Sequence, residues 1–251
     1  MTMKKITDYS EVSPLILKYF KKGIMTNNFL TPQDYKSEIG EGRLFYENGD
    51  EFLNLYVKRD GFFIMYFYTF SVDFLFPEID APVVCDVPEE FSEIMENNGF
   101  KRITERIALE KPGEVGESYF KTLATEDDAE EIFSLMEKSF DKFSGFLPNL
   151  SQIRDECREG LFKIEKNLGE ISGVLRTGKK GKVLVIKHLL TNEKFRGRGV
   201  AKSLVSGIKD KATVWTGEKN SPAINLYKSM GFSRNGKKSI VYMKGTDKND
   251  S

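Results

Sequence analysis

The feature that most constrains this chain is a basic, glycine-rich turn between an apolar strand pattern and an apolar helix pattern. Residues 183–190 are apolar enough for a buried strand, and residues 200–208 carry apolar side chains at helical spacing. The turn that joins them includes Arg196, Gly197, Arg198 and Gly199. Glycines let a ligand approach the main chain closely, and the free N–H groups at the start of a helix attract an anion. The arrangement therefore predicts a site for a phosphate or a similar anion.

A second motif places a tyrosine on a helix that ends at a glycine. Residues 220–232 read NSPAINLYKSMGF, and a strand pattern at residues 212–216 joins them to the first motif. Asn220 is predicted to cap this helix and Gly231 to end it, because glycine tolerates the left-handed conformation found at helix ends. In this order the two motifs resemble the acyl-coenzyme A signatures of the GNAT acetyltransferase superfamily, R/Q-x-x-G-x-G/A and N-x-x-A-x-x-L-Y-x-x-x-G-F. The resemblance covers about residues 118–245.

The resemblance implies acetyl-CoA as cosubstrate, with its diphosphate held mainly by backbone amides of the turn. The matching residues are Arg196, Gly197, Arg198, Gly199, Val200 and Ala201. In the family the preceding strand separates from its neighbour, and the pantetheine arm bonds to it like an added strand. That position here is Leu189, Leu190 and Thr191. The second motif implies further cofactor contacts at Asn220, Ala223, Tyr227 and Lys228. No metal is implied.

Two side chains are candidates for proton transfer. Tyr227 is either a buried core ring or the acid that protonates the coenzyme A thiolate, and its place in the motif favours the acid. His188 has a suitable intrinsic pKa of about 6.5 for a general base, although a single histidine is more often structural. Glu193 and a chain of water molecules are the alternatives to His188.

Trp215 and Phe146 are candidates for the core or for an acceptor pocket.

The order of strand and helix patterns predicts an α/β protein of two domains with mixed sheets. A charged stretch with proline and glycine at residues 111–117 separates domain 1–113 from domain 114–251. In the second domain, strands are predicted at residues 120–124, 161–166, 171–177, 182–191, 212–216, 232–235 and 239–244. Helices are predicted from a capping box at Thr125 and Asp128, and at residues 150–159. This order matches one acyl-CoA N-acyltransferase fold.

The first half repeats part of this pattern. Strands are predicted at residues 43–46, 52–57, 62–68 and 101–109. A helix predicted at residues 89–98 ends in Gly-Phe, as the helix of the second motif does. We interpret the first half as a degenerate GNAT-like repeat, with an unrelated α+β domain as the alternative. Met95 stands at the tyrosine position, and no glycine occurs between Gly61 and Gly99. We therefore expect this half not to bind the cofactor.

Composition narrows the class of protein. The chain has 38 basic and 38 acidic residues, which argues against a polycation that binds nucleic acid or membranes. Acidic residues prevail in residues 1–113 and basic residues in residues 114–251, either by chance or because the second half holds a polyphosphate. Cys85 and Cys157 lie far apart, and with one histidine they give no metal-ligand pattern. No apolar run predicts a membrane span or a signal peptide. We expect a cytoplasmic monomer or homodimer.

These observations predict an N-acetyltransferase that transfers acetyl directly from acetyl-CoA to a primary amine in a ternary complex. The expected acceptor is a small molecule or a peptide. Two alternatives remain open: a non-catalytic sensor that binds acyl-CoA, and a tandem-domain acyltransferase that uses another acyl group, as mycothiol synthase does.

Overall fold

The computed structural model describes residues 3–21 and 23–245, and the chain divides into two compact units. Unit 1 comprises residues 1–105 and 239–251, and unit 2 comprises residues 106–238. Both divisions fall inside strands, β7 (Lys101–Lys111) and β12 (Ser233–Lys244). They differ from the predicted boundary between residues 113 and 114, because residues 106–111 pair with a strand of unit 2 and residues 239–244 with a strand of unit 1.

Unit 1 combines three helices with a mixed sheet. Its elements are β1 (Lys4–Lys5), α1 (Tyr9–Tyr19), β2 (Met25–Thr26), α2 (Pro32–Gly40), β3 (Leu44–Asn48), β4 (Phe52–Arg59), β5 (Phe62–Thr69), β6 (Val83–Pro88), a 3-10 turn (Glu89–Phe91) and α3 (Ser92–Asn97). The strand order is β1-β3-β4-β5-β6-β12, and β2 pairs with β5. The pair β5–β6 is parallel and the other neighbours are antiparallel. Capping boxes at Asp8 and Thr31 begin α1 and α2.

Unit 2 combines four helices with a mixed set of strands. Its elements are a 3-10 turn (Glu126–Asp128), α4 (Ala129–Ser139), α5 (Leu150–Arg158), β8 (Phe162–Asn167), β9 (Glu170–Lys180), β10 (Val183–Thr191), a 3-10 turn (Glu193–Phe195), α6 (Val200–Ser206), β11 (Ala212–Gly217) and α7 (Ser221–Ser229). The strand order is β7-β11-β10-β9-β8. The pair β10–β11 is parallel and the other neighbours are antiparallel.

The two units share one topology, which confirms the predicted repeat. The order β3-β4-β5-β6-β12 in unit 1 corresponds to β8-β9-β10-β11-β7 in unit 2, with the parallel pair in the same place. Two helices precede the first of these strands in each unit, and α3 corresponds to α7. Unit 1 has no counterpart of α6, since residues 70–82 contain no helix. The helix that begins at the glycine-rich turn is thus confined to unit 2.

Two layers of apolar side chains cover the sheet of unit 2. On one face, side chains of β10 and β11 pack with α6 and α7, as represented by Ile186, Val214, Leu204 and Tyr227. On the other face, side chains of β8 and β9 pack with α4 and α5. The site described below is built on both faces of β10.

Several sequence predictions need correction. Residues 120–124 form one isolated bridge, Leu123 to Lys163, and not a strand. The two strands predicted at residues 232–235 and 239–244 are one continuous strand, β12, which includes Gly236. The predicted helix at residues 89–98 is a 3-10 turn followed by α3. Helices α1 and α2 were not predicted. Proline lies inside α1, and α2 has too few apolar residues for a periodic pattern.

No helix within residues 3–21 and 23–245 is both long and apolar enough to cross a membrane.

Candidate functional site

Strands β10 and β11 are paired over only part of their length. The parallel register ends at the pair Ile186–Val214, although β10 continues to Thr191 and β11 to Gly217. A β-bulge in β10 directly follows Ile186. A bulge disrupts the local ladder and bends its strand. The main-chain groups of β10 beyond this point lie outside the ladder with β11, so an extended ligand can pair with them.

The three residues predicted to contact a pantetheine arm lie on this part of β10. Leu189 packs against the core on the α6 and α7 face, and Leu190 is buried in the core on the α4 and α5 face. Thr191 is the register partner of Gly173 on β9. The side chains of Leu189 and Leu190 are therefore structural, and the main chain of all three residues lies beyond the end of the ladder with β11.

The glycine-rich turn leads from a 3-10 turn into α6. Gly197 and Gly199 have φ values of 76° and 81°, in the left-handed region that favours glycine. A Cβ atom at either position would meet no other atom within 4 Å, so the space beside the turn is open. Arg196 and Arg198 are both exposed. The arrangement suits the approach of a phosphate to exposed backbone, with two guanidinium groups nearby to supply positive charge.

Helix α6 is seated against a glycine of β9. A Cβ atom at Gly173 would clash with Val200 Cγ1 and would lie 3.0 Å from Leu204 Cδ1. Val200 is the first residue of α6, and its carbonyl-side neighbour Ala201 is half-buried. Gly173 thus sets how closely the start of α6, and with it the turn, approaches the sheet.

Tyr227 is buried within the core that α6 and α7 share with the sheet. Its ring is 3% exposed and lies 5.4 Å from the ring of Phe232. Burial raises its pKa, so the phenol keeps its proton across the neutral range. Among the described residues, its hydroxyl has no hydrogen-bond partner. A protonated hydroxyl without a partner is available to donate to a ligand.

Two other residues of the second motif, Asn220 and Ala223, contribute to the structure of α7 and its core. Asn220 caps α7 and accepts a hydrogen bond from the N–H of Ala223 at 3.2 Å, as predicted. Ala223 packs partly against the core around Tyr227. Lys228 is exposed and does not join that core.

His188 lies on the opposite face of β10 from Leu189 and is held on both sides of its ring. Its Nε2 donates to the carbonyl oxygen of Gly145 at 2.9 Å, and its Nδ1 faces Arg176 Nη1 at 3.5 Å. Burial, and then the charge of Arg176, lower its pKa to about 3. A histidine with this pKa remains neutral at pH 7, and the proton on Nε2 is committed to a carbonyl. The geometry favours a structural role over that of a general base.

A buried ion pair that the sequence did not reveal lies beside His188. Arg176 on β9 donates to both carboxylate oxygens of Glu156 on α5, at 2.6 and 2.5 Å. Gln152 also donates to this carboxylate, at 3.1 Å. Arginine within an otherwise apolar strand was the available signal, because a buried arginine requires a partner. The network connects α5 through β9 to His188 and so to the loop that contains Gly145.

This loop, residues 140–149, carries the aromatic residue considered for an acceptor pocket. Phe146 is half-buried and has a φ of 50°, which is unusual for a residue with a Cβ atom. Arg106 donates to the carbonyl oxygen of Ser144, and its guanidinium lies 5.0 Å from the Phe146 ring centre. Trp215 is 40% exposed. Trp215 is exposed and Phe146 is half-buried, so neither is a fully buried core residue.

Comparison with known proteins gives a family match within unit 2. Residues 158–234, which include the turn, β10, β11 and α7, match the model of a family described as an acetyltransferase (GNAT) domain. This part of the chain is a GNAT domain. Comparison with curated proteins gave no significant match.

Solved structures with this fold extend over the whole chain. A tandem GNAT protein from the clavulanic acid biosynthesis pathway is 9% identical with a TM-score of 0.59, over 97% of this chain and 98% of that one. A GNAT-family acetyltransferase from Colwellia psychrerythraea is 12% identical with a TM-score of 0.54, over 98% and 100%. A GCN5-related N-acetyltransferase from Sphaerobacter thermophilus is 15% identical with a TM-score of 0.55, over 82% and 85%. At these identities the likeness shows the fold, which is the predicted acyl-CoA N-acyltransferase fold.

The parallel pair of unit 1 separates like that of the GNAT domain, but its own chain fills the gap. The register of β5 with β6 ends at Ile64–Val84, and β2 pairs with β5 beyond that point. Asn27, directly after β2, donates to the carbonyl oxygens of Met65 and Asp86, both at 3.1 Å. It also accepts from the N–H of Phe67 at 2.8 Å. These contacts occupy main-chain groups of both β5 and β6, so the chain itself fills the gap between the two strands.

The described residues contain no group of three or more histidine, cysteine, aspartate or glutamate side chains that could hold a metal ion. Cys85 and Cys157 are both free and buried. Burial raises the pKa of the Cys157 thiol to about 11, so this thiol is un-ionised at neutral pH.

Proposed function

We propose that the protein is an acyl-CoA-dependent N-acyltransferase that transfers acetyl to a primary amine. The observation that carries the proposal is the separation of β10 from β11 beside the open glycine turn that begins α6. The turn offers exposed backbone and two arginines to a diphosphate, and β10 offers unpaired main chain to a pantetheine arm. The residues present therefore suit acetyl-CoA.

The chemistry requires one bond to form and one to break. The neutral amine nitrogen attacks the thioester carbonyl carbon, and the C–S bond of the resulting tetrahedral species breaks as the amide forms. A backbone N–H of residues 189–191 is suited to stabilise the oxyanion. The leaving thiolate takes a proton from Tyr227, whose raised pKa keeps the phenol protonated before the reaction. The amine loses its proton to water or to Glu193, since His188 has both ring nitrogens engaged.

We propose one cofactor site per chain, in unit 2. In unit 1 the position equivalent to the separation of β10 and β11 is filled by β2 and Asn27. Unit 1 also has no glycine between Gly61 and Gly99, and residues 70–82 form no helix whose start could hold a diphosphate.

Isothermal titration of the full chain with coenzyme A tests the proposed site. We expect about one site per chain, and we expect Gly199→Glu to abolish binding because the side chain enters the space beside the turn and its charge repels the diphosphate. Gly169→Glu is the matched control. Gly169 has a similar φ of 85° and equally open surroundings, but it lies in the turn between β8 and β9. Two equal sites per chain, or equal loss of binding in both variants, would contradict the proposal.

The alternative function is a sensor that binds acyl-CoA without turnover. The protonated, unpartnered hydroxyl of Tyr227 favours catalysis, because a sensor has no need for a proton donor. Saturable coenzyme A binding without acetyl transfer to any amine in a broad panel would support the sensor. We also propose that the protein is cytoplasmic, that it is a monomer or a homodimer, and that the acceptor amine belongs to a small molecule or a peptide.

A further inference from the structure

A cavity of about 320 Å³ lies in unit 2, lined by the segment of residues 117–122, by β8 and by α6. Its lining includes Phe120, Lys163, Glu165 and Ser203. None of the residues of the glycine turn, 196–199, lines it. The cavity is therefore separate from the site proposed for the cofactor diphosphate.

Lys163 places a buried amine at this cavity without a carboxylate partner. The residue is 6% exposed. Its Nζ donates to the Thr177 hydroxyl and, at 3.3 Å, to the carbonyl oxygen of Leu161. It also lies 5.0 Å from the centre of the Phe120 ring. A buried ammonium is ordinarily paired with a carboxylate, so this environment disfavours the charged form.

The other charged groups near the cavity do not reverse this preference. Burial, and then the charge of Lys179, lower the pKa of Lys163 to about 8, against an opposing contribution from Glu156. Glu165 also lines the cavity, but its carboxylate accepts a hydrogen bond from the Ser203 hydroxyl. The remaining charged residues of the lining are Glu117, Lys121 and Lys209. A substantial fraction of the amine is thus neutral, and nucleophilic, just above pH 7.

We propose that Lys163 is a covalent attachment site for small aldehydes that enter this cavity. The neutral amine attacks the aldehyde carbon and forms a C–N bond. The carbinolamine then loses its oxygen as water, and an imine remains. The proton released from nitrogen leaves with that water, and the step needs no oxidant or reductant. Because Lys163 is 6% exposed, we expect only small molecules to reach its amine.

Lys166, on the same strand, provides an internal comparison. Its Nζ lies 2.7 Å from Asp128 Oδ1, and this hydrogen bond raises its pKa. The side chain of Lys166 is 45% exposed, so an aldehyde reaches Lys166 more easily. The protonation state, in contrast, favours reaction at Lys163. Preferential reaction at Lys163 would therefore reflect the neutral amine and its cavity.

Reductive labelling of the full-length protein tests the proposal. The protein is treated with propanal and cyanoborohydride, which reduces the imine to a stable secondary amine, and each lysine is followed by peptide mass spectrometry. At pH 7.5 we expect Lys163 to react at least about tenfold faster than Lys166, because far more of it is neutral. Its labelling rate should rise with an apparent pKa near that of its amine, about 8. Lys163→Met should remove this fast phase, and Lys166→Met should retain it.

Equal rates at the two lysines, or no titration of the Lys163 rate between pH 7 and 9, would overturn the proposal. Because both rates are read from the same wild-type sample, this comparison stands even if Lys163→Met does not fold.

Discussion

At the scale of single residues, Tyr227 and His188 show how burial decides between roles that the sequence left open. Burial keeps the proton on the phenol of Tyr227, and it also keeps the imidazole of His188 neutral. The first effect leaves a proton on the phenol, which a proton donor requires and which an ordinary phenol also keeps at neutral pH. The second, with both ring nitrogens engaged, makes a poor base. Burial is thus compatible with Tyr227 as the proton donor and weakens His188 as the base.

Replacement of Tyr227 by phenylalanine should lower kcat while coenzyme A affinity stays nearly unchanged. The ring still packs against Phe232, and only the proton donor is lost. General acid assistance is worth about 10²–10⁴-fold. Steady-state kinetics with an identified acceptor measure kcat, and calorimetric titration measures coenzyme A affinity. A fall of less than about threefold would assign Tyr227 to packing alone.

His188 should make the fold sensitive to acid. Its pKa is about 3 in the folded protein, below its ordinary value of 6.5. Above that ordinary value the ring is neutral in both states, so its contribution to stability is complete. As the pH falls from 6.5 towards 3, the unfolded chain binds a proton that the folded chain does not, and the free energy of unfolding decreases.

The variant His188→Gln removes this titration while its amide can still donate to Gly145. Denaturant unfolding between pH 7 and pH 4 should show a smaller loss of stability in the variant than in the wild type. Parallel pH dependences in the two proteins would show that His188 contributes nothing to acid sensitivity.

At the scale of elements, the close contact between β9 and α6 links fold stability to the glycine turn. Gly173→Val places a side chain where Val200 and Leu204 already lie, so α6 has to shift. We expect a destabilisation of about 1–3 kcal/mol, as is usual for overpacking, and weaker coenzyme A binding because the turn moves with its helix. Thermal unfolding and calorimetric titration measure these two effects.

Gly178→Ala is the control for this variant on the same strand. There a Cβ atom would meet only the side chain of Lys187, whose nearest atom is a flexible Cε at 2.8 Å. This substitution should leave coenzyme A affinity unchanged. Equal losses of affinity at the two positions would show that the contact with α6 is not the cause.

At the scale of the whole molecule, unit 1 contains a strand segment from the far end of the chain, whereas unit 2 is continuous and begins inside β7. Residues 239–244 pair with β6 in unit 1, and residues 106–111 pair with β11 in unit 2. Ile240 and Tyr242 are buried in the core of unit 1. A chain that starts after residue 111 would lack the strand that pairs with β11, so activity lost in such a fragment would not by itself implicate unit 1 in catalysis.

A chain that ends at Lys238 should lose the cooperative unfolding of unit 1. The truncation removes three buried apolar residues, Ile240, Val241 and Tyr242, and leaves the ladder of β6 without its partner. A chain that ends at Gly245 is the control, because it keeps all of β12. Thermal unfolding and limited proteolysis compare the two truncated chains, with cleavage followed within residues 3–105. Equal resistance to protease would show that residues 239–244 are dispensable for unit 1.

The sequence by itself determined the features that depend on local geometry. Left-handed glycines, a capping asparagine and apolar periodicity act within a few residues, so the turn at Gly197 and Gly199, the cap at Asn220 and the strands β8 to β11 were predictable. The GNAT resemblance rests on these local motifs. Whether the named residues bind the cofactor stays a prediction.

Only the tertiary structure decided the features that join distant parts of the chain. The pair Arg176–Glu156, the hydrogen bonds of Asn27 across a separated strand pair, and the amine of Lys163 without a carboxylate each depend on strand register and burial. The two strands that cross between units were also invisible, because a strand pattern indicates that a segment will pair and not which edge it will join. Local propensity therefore fixed the elements, while long-range pairing fixed the domains and the charge state of the buried groups.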